Sequence, residues 1–68
     1  MQNLSKKLGE RIRSERIKHG ISQENLALLT DIDRSYVGRI ERGEVNITVE
    51  KLYQIAEVLK CSPNKLLP

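Results

Sequence analysis

Ser22-Gln23-Glu24-Asn25-Leu26-Ala27, then Asp31-Ile32-Asp33-Arg34-Ser35-Tyr36-Val37, then Ile40-Glu41-Arg42-Gly43 decide the fold of this 68-residue chain. Ser22 and Asp33 belong to the residue types that cap a helix start through a side-chain oxygen. Each is preceded by an isoleucine and followed four positions on by an apolar residue, Leu26 or Val37. The spacing predicts two short helices, Ser22 to about Thr30 and Asp33 to about Arg42, joined by a tight turn. Asp31 falls in that turn. A left-handed backbone is expected there, because Asp tolerates it better than most residues, though less well than Gly. Gly43 closes the second of the two helices.

The same punctuation recurs along the chain. Ile47-Thr48 is followed by Leu52, and Cys61-Ser62 by Leu66, so both pairs mark further helix starts. Five helices result. The first runs from about Leu4 to His19, with Leu8 and Ile12 inward and Gly20 as its left-handed stop. The fourth runs from Thr48 to near Lys60, with Val49, Leu52, Ile55, Ala56 and Leu59 on one stripe. The fifth is a turn or two after Ser62, with Pro63 at its favoured first position. No alternating segment argues for a strand. The expected core is Leu8, Ile12, Ile21, Leu26, Ala27, Val37, Ile40, Leu52, Ile55, Ala56, Leu59 and Leu66. Ala27 is small where the second and third helices should cross. The expectation is an all-α, compact five-helix fold, with residues 1–68 as a single domain.

Composition narrows the function. A chain this short buries only about 60% of its unfolded surface, so its core is small. One cysteine forms no internal disulfide, and a half-buried inert thiol is expected at Cys61. His19 is the only histidine, and no metal-ligand spacing is visible. No metal, cofactor or small-molecule ligand is expected. No nucleophile–base pair points to an enzyme. The N-terminus lacks an apolar core of signal-peptide length, and no stretch approaches the ~20 apolar residues of a membrane span, so a cytoplasmic protein is expected. Net charge is +3. Residues 1–20 carry six cations against two acids, and residues 21–45 three against five. Basic character is therefore concentrated in the first helix, and the third helix is no simple basic patch.

Place the third helix on a wheel at 100° per residue. Val37, Ile40 and Glu41 cluster on one side. Ser35, Gly38, Arg39 and Arg42 fall on the other, with Arg34 projecting from the first turn and Tyr36 on a flank. The apolar side anchors the helix, and the polar side faces a partner. An arginine fork matches the O6 and N7 acceptors of guanine, each such pair discriminating by ~1–3 kcal/mol. Arg34 and Arg39 are the candidates for base contacts, and Ser35 for a base edge or a phosphate. Gly38, on the outward face, lets backbone or DNA come close. Gln23, in the first turn of the second helix, is placed to hold a phosphate with its amide and the free N–H groups there. Arg42 and Asn46 flank the next loop and are candidates for phosphates beyond. Tyr36 either packs under its helix or donates its hydroxyl to a phosphate. Arg16 and Glu41 both fall on inward faces, and a structural ion pair between the first and third helices is expected.

These residues resemble the phage repressor and Cro family of helix-turn-helix domains, also called XRE-type. The resemblance runs from Leu8 to Leu67. It is carried by Ile12, Arg16, Gly20-Ile21-Ser22-Gln23-Glu24, Leu26-Ala27, Asp33-Arg34-Ser35-Tyr36-Val37 and Ile40-Glu41-Arg42-Gly43. Asp33-Arg34-Ser35-Tyr36 followed by Asn46-Ile47-Thr48 resembles the controller proteins of restriction-modification systems. The family implies a lambda-repressor-like domain that binds operator DNA as a twofold dimer. By that resemblance the phosphate-holding role falls on Gln23, base reading on Arg34, Ser35 and Arg39, and the interhelical ion pair on Arg16 with Glu41. Three positions depart from the family pattern. Asp31 replaces the usual turn Gly, Thr30 ends the second helix where Val or Ala is common, and Asn25 replaces the Glu that would complete a capping box with Ser22.

The expectation is a sequence-specific DNA-binding transcriptional regulator. It reads an inverted-repeat operator through the major groove as a homodimer, with half-sites about 34 Å apart. The dimer surface is expected in the C-terminal part, around Val58, Pro63 and Leu67. Two other readings stand beside it: an antitoxin that binds DNA and a toxin, and a protein-interaction module without DNA readout.

Overall fold

The computed structural model describes residues 3–68. Five α-helices follow one another: α1 (Leu4–Lys18), α2 (Gln23–Thr30), α3 (Arg34–Glu41), α4 (Val49–Val58) and α5 (Pro63–Leu66). There is no strand among the described residues. The starts follow the sequence pattern, with one exception. Ser22 Oγ accepts from the Asn25 N–H at 3.0 Å, Thr48 Oγ1 from Lys51 at 3.1 Å and Ser62 Oγ from Asn64 at 3.3 Å. Asn25 thus supplies the backbone half of a capping box although its side chain cannot supply the other half. Asp33 makes no such bond to a backbone N–H. Its carboxylate instead accepts from the Ser35 hydroxyl, a side-chain competitor two residues on.

Four helices end alike. A residue in the left-handed region follows each: Gly20 (φ 68°), Asp31 (φ 58°), Gly43 (φ 76°) and Lys60 (φ 55°). The next N–H then reaches five residues back. Ile21 donates to the Arg16 carbonyl at 3.1 Å, Ile32 to Ala27 at 3.0 Å, Glu44 to Arg39 at 2.9 Å and Cys61 to Ala56 at 3.0 Å. Ile21, Ile32 and Cys61 therefore close one helix and precede the cap of the next, which keeps the connections short. The fourth helix stops at Val58, two residues before the expected end. Lys60 takes the left-handed position there despite lacking a glycine's freedom.

Ile12, Leu26, Ile55, Leu59 and Leu66 are the fully buried centre, drawn from α1, α2, the end of α4, and α5. Val37 and Ile40 bring α3 onto it. Two core expectations shift. Leu8 and Ile21 are half-buried at the margin, whereas Ile32, absent from the expected list, is buried. Closing α2 draws the Ile32 backbone inward and its side chain with it. Thr30 is buried, and its hydroxyl donates to the Leu26 carbonyl at 2.6 Å, so the polar atom is satisfied within its own helix.

α2 and α3 pack on each other, α1 lies against α3 and α5, and α4 lies against α2 and α5. Two glycines set how α1 crosses the end of α3. A Cβ on Gly9 would lie 2.3 Å from the Ile40 carbonyl oxygen and 2.6 Å from that of Glu41. A Cβ on Gly43 would lie 2.6 Å from Lys6 Cα. The backbones touch there, and any larger residue would force α1 away from the last turn of α3.

Candidate nucleic-acid interface

α3 is held from below by apolar contact and by one polar network. Val37 and Ile40 are each 2% exposed. Beside them, the Arg16 guanidinium grips the Glu41 carboxylate from α1, with Nε to Oε2 at 2.7 Å and Nη2 to Oε1 at 3.1 Å. Arg16 Nη1 also donates to the Ile21 carbonyl at 2.9 Å. Gln23 Nε2 donates to Glu41 Oε1 at 2.9 Å. One carboxylate thus ties α1, α2 and α3 together. The fork is bidentate, and both side chains are nearly out of solvent. Among the described residues, no buried side-chain polar atom lacks a partner.

The opposite side of α3 is open. Arg34, Ser35 and Arg39 are exposed, and Tyr36 is half-buried with its ring against the core. Ser35, Tyr36 and Arg39 border one shallow hollow with Asp31, Asp33 and Lys51 of α4. Lys51 was not singled out in the sequence, because its charge looks like one more solvated position on α4.

Gly38 is a correction. It lies on the side of α3 that carries Arg34 and Arg42 but is buried and not open to a partner, because Gln23 and Arg42 close over it. A wheel of α3 alone could not show that, since the covering groups come from α2 and from the next turn.

Beyond α3, Arg42 is exposed and pairs with Glu44. Nε lies 2.8 Å from Oε2 and Nη2 lies 3.4 Å from Oε1. Arg39 Nε approaches the same carboxylate at 4.0 Å. The hydrogen bonds from Arg42 hold the Glu44 carboxyl below the usual glutamate range, and the Arg42 guanidinium is raised in turn. Asn46 is exposed and receives the Ser5 hydroxyl from α1. Glu44 and Ser5 escaped the sequence reading. Glu44 lies past the helix, where periodicity ends, and Ser5 is 41 residues from its partner. The structure thus brings Gln23, Arg42 and Glu41 to one end of α3 and leaves Arg34 and Ser35 at the other, with Arg39 between.

Cys61 is half-buried, and burial pushes its thiol above the ordinary cysteine range. No group of three or more potential metal ligands occurs among the described residues. No helix among them is long and apolar enough to cross a membrane.

Residues 12–66 match the helix-turn-helix family HTH_3. The control protein C.SmaI of Serratia marcescens is 42% identical over 60 residues, covering 88% of this chain and 71% of the relative. The control protein C.BamHI of Bacillus amyloliquefaciens is 35% identical over 66 residues, covering 96% and 82%. The crystal structure of the restriction-modification controller protein C.AhdI from Aeromonas hydrophila superposes with a TM-score of 0.89 at 41% identity. The match covers 93% of this chain and 96% of that one.

Proposed function

This chain belongs to the helix-turn-helix family HTH_3, and on that premise we propose that it is a sequence-specific DNA-binding transcriptional regulator. The observation that carries the reading is the two-sidedness of α3. Val37, Ile40 and Glu41 lock one flank into the core, while Arg34, Ser35 and Arg39 are exposed on the other. In this reading α3 enters the major groove, Arg34 and Arg39 meet base edges, and Ser35 meets a base edge or a phosphate. Gln23, Arg42, Asn46 and the Tyr36 hydroxyl hold phosphates around it. The basic first helix adds long-range attraction. Within the family, the relatives favour a controller of a restriction-modification system.

Two copies are needed. The longest dimension of one copy is 29 Å, and it carries one reading helix, whereas successive half-sites lie about 34 Å apart. The C-terminal part supplies an apolar surface for the second copy. Val49 and Tyr53 are 70% and 59% exposed, and they line a groove with Cys61 and Pro63. Leu67 is exposed, whereas Val58 is half-buried against the core.

Selection of bound duplexes from a random pool tests this. The expected product is an inverted repeat with guanines in each arm. A pool that yields no motif would leave base readout without support and overturn the proposal.

A further inference from the structure

Gly38 is buried in mid-helix, although Arg34 and Arg42, one turn either side on α3, are exposed. A Cβ on Gly38 would sit 3.1 Å from Arg42 Nη1 and 3.8 Å from Gln23 Oε1. The tip of Arg42 has therefore folded back along α3. It lies over the place that any other residue's side chain would fill, beside the first residue of α2. Glu44 takes its Nε and Nη2, which leaves Nη1 over Gly38. The Gln23 amide is turned by its bond to Glu41, so that its oxygen approaches the same space. At that corner α2 begins. Ser22 Oγ takes the N–H of Asn25, and the first intrahelical bond runs from Leu26 to Ser22. The N–H groups of Gln23 and Glu24 lie ahead of that bond, in the part of a helix where donors have no intrahelical acceptor.

We propose that Gly38 is a positioning residue for DNA binding: by lacking a side chain it seats the Arg42 guanidinium beside the start of α2, so that Arg42 and the Gln23 end of α2 grip one DNA phosphate together. The inference rests on the DNA-binding reading above. A phosphate oxygen at that corner meets the N–H donors of the first turn, the positive end of α2 and Nη1 of an Arg42 guanidinium whose other nitrogens Glu44 holds, once the Gln23 amide oxygen, itself an acceptor, swings aside. The charge comes from the helix that reads the bases. The clamp therefore fixes the approach of α3 to the duplex, in addition to strengthening it.

Alanine at position 38 separates this role from folding. Glycine is a poor residue for a helix interior, and alanine is the best. The atom that the new methyl meets is the far end of a flexible, exposed side chain, which gives way easily. The full chain is compared as wild type, Gly38→Ala, Arg42→Ala and the double variant. Binding is measured against the duplex selected from the random pool and against a mixed-sequence duplex, over a series of salt concentrations. Gly38→Ala is expected to melt at the same temperature as wild type or higher. It should bind both duplexes about three-fold more weakly near physiological salt, with the salt slope reduced by up to about one. In the Arg42→Ala background, the alanine should cause no further loss. Unchanged binding and slope in Gly38→Ala, with wild type binding normally, would overturn the clamp and leave the DNA-binding reading intact. An equal loss with and without Arg42 would also overturn it, since Gly38 would then act by admitting the DNA backbone. A wild-type chain that binds neither duplex would overturn both.

Discussion

Glu41 and Glu44 lie three residues apart at the end of α3, and each is gripped by an arginine fork. The Arg16–Glu41 pair is 10% and 2% exposed, and the Arg42–Glu44 pair is 60% and 49% exposed. The chemistry is the same, but the surroundings differ. Removing one partner of a buried pair leaves a charge with no water to solvate it. Water and salt replace either partner of an exposed pair at little cost. The first pair therefore builds the platform, and the second can open at little cost, as the proposed phosphate contact of Arg42 would require. Helix α3 needs both: one flank that never lets go and one that can exchange partners.

The largest expected effect tests the buried half of that contrast. Glu41→Gln keeps the shape of the side chain and strands the Arg16 charge, at a cost of about 3–5 kcal/mol. In a domain of this size that lowers the melting midpoint by more than about 10 °C. Thermal melting followed by circular dichroism measures it. A small loss would mean that water reaches Arg16 and that the pair is no platform. Next in size are the outward arginines. Arg34→Ala or Arg39→Ala should each remove about 1–3 kcal/mol of discrimination at one position per arm of the selected repeat. Melting should be unchanged, because neither side chain is packed. A variant that weakens all sequences equally would move that arginine from base reading to phosphate contact.

The buried pair was legible in the sequence, and the exposed one was not. Arg16 and Glu41 fall on the apolar stripes of their own helices, so their burial follows from periodicity, and two opposite charges facing inward must meet. Glu44 follows the glycine that ends α3, where no period places it. Its carboxylate returns over the helix because the Schellman bond from its N–H to the Arg39 carbonyl turns the chain back. Gly38 shows the same limit from the other side. The helical wheel puts it outward, and only the arrival of Gln23 from α2 and Arg42 from the next turn buries it. Four of the five helices were legible because their starts carry an apolar–cap–apolar signature, the first showed by its inward Leu8 and Ile12 and its Gly20 stop, and three of the four left-handed stops carry Gly or Asp. Lys60 is the fourth, and a lysine announces nothing. Gly9 was silent as well, since a close approach of two backbones depends on how α1 and α3 cross.

Helix starts extend the contrast at a smaller scale. Ser22 and Asp33 look alike in the sequence, but only Ser22 bonds a backbone N–H. Ser22→Ala should cost about 1 kcal/mol, within the ordinary range for a cap. Asp33→Ala should cost clearly less, because the Ser35 hydroxyl already occupies that carboxylate. Equal losses would mean that Asp33 turns to cap α3 in solution.

The smallest expected effect belongs to Glu44→Gln, and its smallness is the point. The variant should melt with wild type at neutral pH, since both members of the pair are exposed and the solvent replaces either one. Acid sharpens the test. Arg42 lowers the Glu44 pKa in the folded state, so the unfolded chain binds this proton first as pH falls. Any stabilisation is therefore complete above the unfolded glutamate pKa and fades as pH drops through the lowered folded value. Any residual difference between wild type and variant, too small to separate their melting at neutral pH, should therefore close at low pH and vanish with added salt. If Glu44→Gln instead lost as much as Glu41→Gln, and kept that loss in high salt, the two carboxylates would belong to one structural network. The outer flank of α3 would then have no partner to exchange.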